Sequence, residues 1–580
     1  MTGLNIYDKK IYKTFDKNSR IQNRKEVKMT HSLAELIKFI HSKSSLVQKT
    51  PRILLTSVCK PFDDPSNPIE LFHNQVTRMQ GPYGLFSIRG HNPSANLIIL
   101  GANIESSVTV VDFPSIQRFI WEVLKGYEFI GISAIVPNIE KTKVMVDIIK
   151  KYSPKTKIII GGHATTVPTI REELGLRKNY DFIILGEGIS QLRKILGEPK
   201  LEFPPINHPP VPSAHKCSIA GIPYASSTGV VLVGAGCEKG CDFCSTSHFF
   251  KKKYISLLKT GKHIFDICLK GKKKYGFTNF FLLDENLLNK QMERVRELLK
   301  LIKENNEPFT FGIFASADTI KRVGVKFLVE LGVNFVWIGA ESYKQDVYGK
   351  NKDIDMHSLI KELRQHGIMV LASMVLFQNW HTKEDIPKEI DYAISLNATW
   401  TQFMSFGAYH HTKLGKTVEI LEDLLYSFRH GQRGIWHKHN EFTPKESGWL
   451  LDEAFKKEYE ALGPSIIRMV ETRLDGYKFI KEKYKNDKWM MIRAEQMKKD
   501  CERLLPLVRA SLPYLLDERM RNWAKGVIHN YHNIIGPETL KQKISTQFAR
   551  LLALKRYWQL QLFPKSRISQ PKTSTYKFNQ

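Results

Sequence analysis

The sequence predicts an α/β protein in three parts: a doubly wound, Rossmann-like parallel sheet, then a partial (β/α)6 barrel, then a mainly helical C-terminal region. Three observations carry this. Between residues 51 and 196 apolar strand-like runs alternate with helical stretches. From 229 to 414 a second alternating series follows. Past 415 the strand signals fade, and charge, Trp, Tyr and Leu dominate at helical spacing. Alternation of strand and helix implies a parallel sheet covered on its faces by helices.

In the first series the strand candidates are Arg52–Val58, Thr109–Phe113, Phe129–Ile135, Lys157–Ile160 and Asp181–Leu185. Helices are expected around Ala95–Asn103, Ser115–Lys125 and Glu140–Lys151. A ligand crevice should lie at the carboxyl ends of such strands. Residues 197–228 hold Pro204, Pro205, Pro209, Pro210, Pro212 and Pro223. Proline at that density should continue neither helix nor sheet, so a linker or a strap is expected. In the second series, strands are expected at 230–235, 278–283, 309–315, 333–338, 368–376 and 400–405. Leu288, Met292, Val295, Leu299 and Ile302 recur at helical spacing after the second of them. Six such units suit a partial barrel with its chemistry at the carboxyl end. Residues 1–50 read as a basic leader followed by a short helix over His31–Ser42.

At 580 residues with 42% apolar side chains the chain can bury several cores. No apolar run reaches the ~18 residues of a membrane span. Met1–Arg20 is polar and lysine-rich without an apolar stretch, so no signal peptide is expected. Seven cysteines are too few for a disulfide framework, which points to a reducing cytoplasm. The net charge of +29 is mostly solvated lysine on this reading, with one concentrated region. Lys541 to Gln580 carries nine Lys or Arg and no Asp or Glu.

The most informative stretch is Gly-Ala-Gly-Cys-Glu-Lys-Gly-Cys-Asp-Phe-Cys, which holds Cys237, Cys241 and Cys244 on the loop after the strand at 230–235. Three thiolates fall one short of a closed zinc site. They suit a four-iron cluster with one iron left open. With Phe243 before the third cysteine, the triplet resembles the radical S-adenosylmethionine superfamily. That resemblance implies a [4Fe-4S] cluster on the three cysteines, S-adenosylmethionine on the open iron, and a 5′-deoxyadenosyl radical as the reactive species. It places Phe243 near the adenine. It also makes cofactor contacts of the polar residues at successive strand ends: Asp284, Glu285 and Asn286, then Ser316 and Asp318, then Glu341 and Ser342. His248, shortly after the triplet, is a further candidate for the site or for support of its loop.

A sheet domain directly upstream of such a triplet resembles the cobalamin-binding domain of the cobalamin-dependent members, over roughly Pro51 to Phe406. Ser133, the turn Gly161-Gly162-His163 and the turn Gly186-Glu187-Gly188 carry that resemblance. Paired glycines let backbone approach a bulky ligand closely. The chain lacks the Asp-x-His-x-x-Gly motif that supplies a cobalt-ligating histidine, so cobalamin bound without a histidine ligand is expected. His163 is not assigned to cobalt. The polar segment Glu70–Gly81 offers His73, Asn74, Gln75 and Arg78 as lining for substrate or corrin.

His410, His411, His437 and His439 with Tyr409 suggest a metal cluster, but side chains adjacent or one apart need not converge, and surface or substrate-lining roles are expected. Cys59, Cys217, Cys268 and Cys501 are scattered and read as structural. The stretch Ile544–Phe563 forms a basic amphipathic helix suited to an anionic membrane surface, or to packing on the barrel. The resemblance implies methylation of an unactivated carbon of a small-molecule substrate, with a flavodoxin or ferredoxin as electron donor; the basic amphipathic tail and the lack of a peptide-recognition signature favour a lipid or isoprenoid. Cyclisation, rearrangement or carbon–carbon coupling with a vestigial cobalamin domain is the alternative within the same superfamily. A basic RNA-binding protein with a structural cluster is the alternative outside it. No RNA-stacking motif accompanies the charge, and no specific nucleic acid is expected.

Overall fold

The computed structural model describes residues 52–61, 89–90, 93–135, 138–166, 180–201, 205–213, 217–219, 222–224, 228–344, 347, 350–421, 434–563 and 570–579. The expected leader helix and the segment with His73, Asn74, Gln75 and Arg78 lie outside the described residues.

The first sheet contains β1 (Arg52–Thr56), β2 (Ser107–Asp112), β3 (Phe129–Ser133), β4 (Lys157–Gly161) and β5 (Phe182–Ile183), hydrogen-bonded in the order β2-β1-β3-β4-β5 and all parallel. Central strands buried on both faces need continuous apolar runs, and β1, with Ile53 and Leu54 fully buried, is one. Helices α1 (Ala95–Ala102), α2 (Ile116–Val123), α3 (Ile139–Tyr152) and α4 (Gly188–Leu196) connect and flank the strands. Two separate apolar clusters, one built around Ile130, Ile132 and Ile160 and the other around Ile53, Leu55 and Val110, occupy its two faces.

The second sheet is a partial barrel. Its strands are β6 (Val211–Pro212), β7 (Thr228–Leu232), β8 (Asn279–Leu283), β9 (Thr310–Phe314), β10 (Val333–Glu341), β11 (Met369–Leu376) and β12 (Trp400–Ser405), in that order. From β7 to β12 all pairs are parallel, which gives the six expected units. Around it run α5 (Ser245–Phe249), α6 (Gly261–Tyr275), α7 (Met292–Glu304), α8 (Ala317–Val323), α9 (Val325–Leu331), α10 (Met356–Gln365) and α11 (Asp385–Ser395).

One expectation is corrected and another is extended. The proline-rich stretch is not only a linker: β6 pairs antiparallel with β7, Val211 opposite Val230 and Pro212 opposite Gly229. Proline is tolerated there because β6 is the edge of its sheet. The C-terminal region is mainly helical, as expected, but it ends in a strand. After α12 (Pro444–Leu462), α13 (Ser465–Lys483), α14 (Lys488–Ser511), α15 (Glu518–Ile534) and α16 (Leu540–Leu562), the chain returns to the first sheet. There β13 (Ser574–Phe578) lies antiparallel along β2, with Tyr576 opposite Val110. Phe578 packs where a side chain at Gly101 would stand, and Thr573 Oγ1 donates to Phe113 O at 2.7 Å.

Candidate active site

Buried strand β7 delivers the three cysteines to the carboxyl edge of the barrel. The loop after it closes tightly enough to require glycine. At Gly236, with φ of +81°, a Cβ would lie 2.3 Å from Lys253 O. Ser247, on the short α5, pins the loop by donating to Cys237 O at 2.6 Å and accepting from Gly240 N at 3.1 Å. Cys244 N donates to Cys241 O at 2.9 Å. His248 Nδ1 bonds the Cys244 carbonyl at 3.0 Å, a contact of the kind expected for loop support.

Burial pushes all three thiols up, Cys244 to about 11, and the pair Cys237–Cys241 and the pair Cys241–Cys244 each interact electrostatically. The thiols are therefore neighbours. Among the described residues no three Cys, His, Asp or Glu side chains ring a single metal ion. A cubane asks for something else: its ligands stand at three corners of a cube and need not converge on one point. Soft thiolates on a tight loop fit that demand.

Two lysines bring charge to this loop. Lys239, between the first two cysteines, donates to both oxygens of Asp318 at 2.8 and 2.7 Å. Its ion pair offsets the partial burial of Asp318 and holds that carboxyl below its usual range. Lys350 pairs with Glu341 at 2.5 Å, and its ammonium interacts with Cys241 and Cys244. Glu341 reaches inward because β10 slips register between Gly339 and Glu341, placing Glu341 at φ of +67°. A non-glycine residue in that region is strained, and strain of this kind gathers at sites of function.

The remaining strand-end residues divide. Asn286 donates to Ser316 Oγ at 3.2 Å and accepts from Thr319, linking the second strand end to the third. Asn286 and Cys237 also line a cavity with Tyr254, Asn289, Lys290 and Arg294. Glu285 interacts with Cys237. Its carboxyl keeps contact with solvent, yet crowding by protein and then the Asp284 charge raise it to about 7. Asp284 is fully engaged inside the fold. It pairs with Arg294 at 3.1 Å, both side chains 1% exposed, and accepts from Tyr254 OH at 2.5 Å. Ser342 likewise donates to Glu389 within a buried group that includes His381.

The sheet docks onto the same loop. His163 stacks on Phe249 of α5 with ring centroids 4.5 Å apart, and its Nδ1 lies 3.4 Å from Ser245 Oγ. His411 Nε2 reaches that hydroxyl at 3.1 Å. Burial, then His411, lower the His163 pKa to about 4, so the ring is neutral. Phe243 packs against the sheet cluster that also holds Phe406, Ala408 and Trp436. A side chain begun at Gly161 or Gly186 would meet Ile184 or Phe249 O at 3.9 Å, ordinary contact, whereas one at Gly162, with φ of +93°, would lie 2.4 Å from Ala134 O. Ser133 accepts from Asn96 at 3.1 Å, Glu187 caps α4 through Ser190 N, and Gly188 opens that helix.

Sequence reasoning missed Lys239, Lys350, Tyr254 and Arg294. Lys239 was visible only as a spacer inside the triplet, and Lys350 had no local signal at all. The histidine group is partly inside the protein: His437 is 1% exposed, in contact with Phe406 and His439, and neither ring nitrogen has a partner among the described residues. His439 bonds Gln378 O at 2.9 Å, and Gln378 Oε1 is also buried without a partner.

A doubly wound sheet docked by its glycine turns onto a three-cysteine loop, itself at the carboxyl edge of a six-unit partial barrel, resembles the cobalamin type of radical S-adenosylmethionine enzyme. No family model matches the chain. It is similar to the bacteriochlorophyllide d C-8(2)-methyltransferase of Chlorobaculum tepidum, 28% identical over 296 residues that make up 46% of this chain and 62% of that protein. An uncharacterized methyltransferase of Pyrococcus horikoshii is 23% identical over 56% of this chain and 75% of its own length. The chain thus spans less than two thirds of the first of these relatives. Among solved structures it is similar to TsrM of Kitasatospora setae, a radical S-adenosylmethionine methyltransferase solved with cobalamin and a [4Fe-4S] cluster. Identity is 13%, the TM-score is 0.47, and coverage is 78% of this chain and 99% of that one.

Proposed function

We propose that this chain is a cobalamin-dependent-type radical S-adenosylmethionine enzyme that methylates an unactivated carbon of a small, largely apolar molecule. The single observation that carries the reading is the loop of Cys237, Cys241 and Cys244, flanked by two lysine–carboxylate pairs and roofed by the glycine turns of the sheet. When bound, the cluster and S-adenosylmethionine supply an adenosyl radical, and cobalamin supplies the methyl group.

The chain's own residues hold and screen. Cys237, Cys241 and Cys244 would bind three irons, and Lys239 and Lys350 would offset the negative charge that thiolates and sulfides gather there. Asp318 and Glu341, each already steered by a lysine, are placed to accept hydrogen bonds from ribose hydroxyls or the methionine ammonium. Asn286 and Ser316 extend that polar edge. Phe243 closes the apolar side, and His163, neutral and engaged by Ser245 and Phe249, secures the turns over the loop without serving cobalt. Asp284 and Ser342 act one layer away, by holding Arg294 and Glu389.

We draw substrate character from the buried side chains Phe406, Trp436, His437 and Gln378, where both His437 ring nitrogens and Gln378 Oε1 have no partner among the described residues. A histidine kept neutral by burial and a primary amide suit an uncharged hydrogen-bonding group on an otherwise apolar body, as a lipid or isoprenoid would present. The +29 charge favours an acidic electron donor such as flavodoxin or ferredoxin. The test is anaerobic reconstitution with iron, sulfide and hydroxocobalamin, followed by assay for 5′-deoxyadenosine and for transfer of label from the S-adenosylmethionine methyl group. 5′-Deoxyadenosine without labelled product would leave a radical enzyme that does not methylate. Absence of both would end the proposal.

A further inference from the structure

Helix α16 is packed with the wrong face outward for a helix whose business is the core. Its small residues face the protein: Gln542, Thr546, Ala549 and Ala553 are buried, and Gln542 donates to Glu502 O and Tyr531 OH, each at 3.0 Å. On the opposite side Leu540, Ile544, Phe548, Leu551, Leu554, Trp558 and Leu562 are 48–74% exposed. With Phe563 they are eight of the fourteen large apolar side chains exposed among the described residues, so the patch is concentrated and not scattered. At 3.6 residues per turn they form a continuous stripe about 120° wide.

The charges around the stripe say what covers it. Lys541 lies along one edge, Lys543 and Arg550 along the other, and Lys555 interrupts it, where its stem can lie on the stripe while the ammonium reaches outward. No acid occurs from 541 to 580. A second copy of this helix would set cation against cation. Residues 1–51 would do the same, with eleven Lys or Arg against four Asp or Glu. Helix α16 is also held at both ends, by the Thr539–Gln542 capping box before it and by β13 on the first sheet beyond it.

We infer that α16 is a membrane-docking surface that seats its Ile544–Leu562 stripe in the interfacial layer of an anionic bilayer, with Lys541, Lys543 and Arg550 against lipid phosphates. Apolar burial and attraction to anionic lipid reinforce each other in such helices. Each cation near the surface strengthens attachment on the order of fivefold. The inference stands independently of the catalytic reading.

The test is flotation of the full chain with phosphatidylcholine vesicles containing roughly a third phosphatidylglycerol, at about 0.1 M and about 1 M salt. The wild type should float with anionic vesicles, weakly with pure phosphatidylcholine, and less at high salt. The pair Leu551→Asp and Trp558→Asp should lower retention about tenfold or more. The pair Lys543→Gln and Arg550→Gln leaves the packed and apolar faces untouched; it should lower retention at low salt about 25-fold and flatten the salt dependence. Failure of the wild type to float, or flotation of either variant pair equal to that of the wild type, overturns the inference. So does a dimer, seen by sedimentation velocity, that Leu551→Asp dissolves and anionic vesicles leave intact. None of these readouts depends on S-adenosylmethionine cleavage.

Discussion

Lys239 donates to both carboxylate oxygens of Asp318, 2.8 and 2.7 Å away, and so ties the cysteine loop to the end of the third barrel strand. The side chains are 22% and 41% exposed, so the pair contributes ~1 kcal/mol or less to stability. Its meaning is electrostatic. A cation beside a cluster stabilises the more negative, reduced state. Lys239→Gln should therefore lower the reduction potential of the reconstituted cluster in a redox titration followed by paramagnetic resonance, with the melting temperature nearly unchanged. An unchanged potential would show that the lysine only braces the loop.

Asp284 should behave differently. Its partner Arg294 is as buried as itself, and removing one member of such a pair leaves an uncompensated charge at a cost of ~3–5 kcal/mol. Asp284→Leu should unfold at distinctly lower denaturant concentration, and adding Arg294→Met should restore much of the loss. Were Asp284→Leu fully stable but unable to bind S-adenosylmethionine, the carboxylate would belong to the cofactor site itself.

Three histidines set an acid limb. Burial lowers His163, His208 and His437 to about 4 each, with smaller contributions from His411, Lys270 and His439 respectively. Unfolded histidine titrates near 6.5. Between those values the unfolded chain binds a proton that the folded chain refuses, so stability falls as pH drops from about 6.5 towards 4. Each group accounts for about 2 kcal/mol between pH 7 and 5 by that linkage. Chemical denaturation of His437→Phe across this range should give a shallower pH dependence than wild type. Superimposable profiles would mean that His437 is solvated in the native protein.

His163→Ala removes the stack on Phe249 and the contact with Ser245. Retention of hydroxocobalamin through gel filtration should fall several-fold, while the absorption spectrum of the corrin that stays bound should not change. A spectral change reporting a lost axial nitrogen would make His163 a cobalt ligand and contradict the geometry.

Much of the fold was legible because buried parallel strands must be continuous apolar runs, as at Ile53–Leu55 and Ile158–Ile160, and because six such runs recur after 229. Strand β13 was not legible. It is five residues long, half-exposed, and made a strand only by pairing with β2 more than 460 residues earlier, which no local pattern records. Val211–Pro212 was read as linker because proline excludes a central strand but not an edge. The same contrast holds in the site. The cysteines announce themselves because thiolate chemistry dictates residue and spacing. Lys350 reaches them only through the bulge at Gly339–Glu341, a backbone event with no sequence motif. Glu187 was read with the glycine turn beside it, and its carboxylate is occupied in capping α4.

The most direct measurement is iron and sulfide content, with visible spectra, after oxygen-free reconstitution of the wild type and of Cys237→Ala, Cys241→Ala and Cys244→Ala, with Cys59→Ala as a buried-thiol control. The wild type and the control should each carry about four irons and four sulfides and cleave S-adenosylmethionine. Each of the three loop variants should lose the cluster and the cleavage together. Retention of both by Cys241→Ala would contradict the assignment.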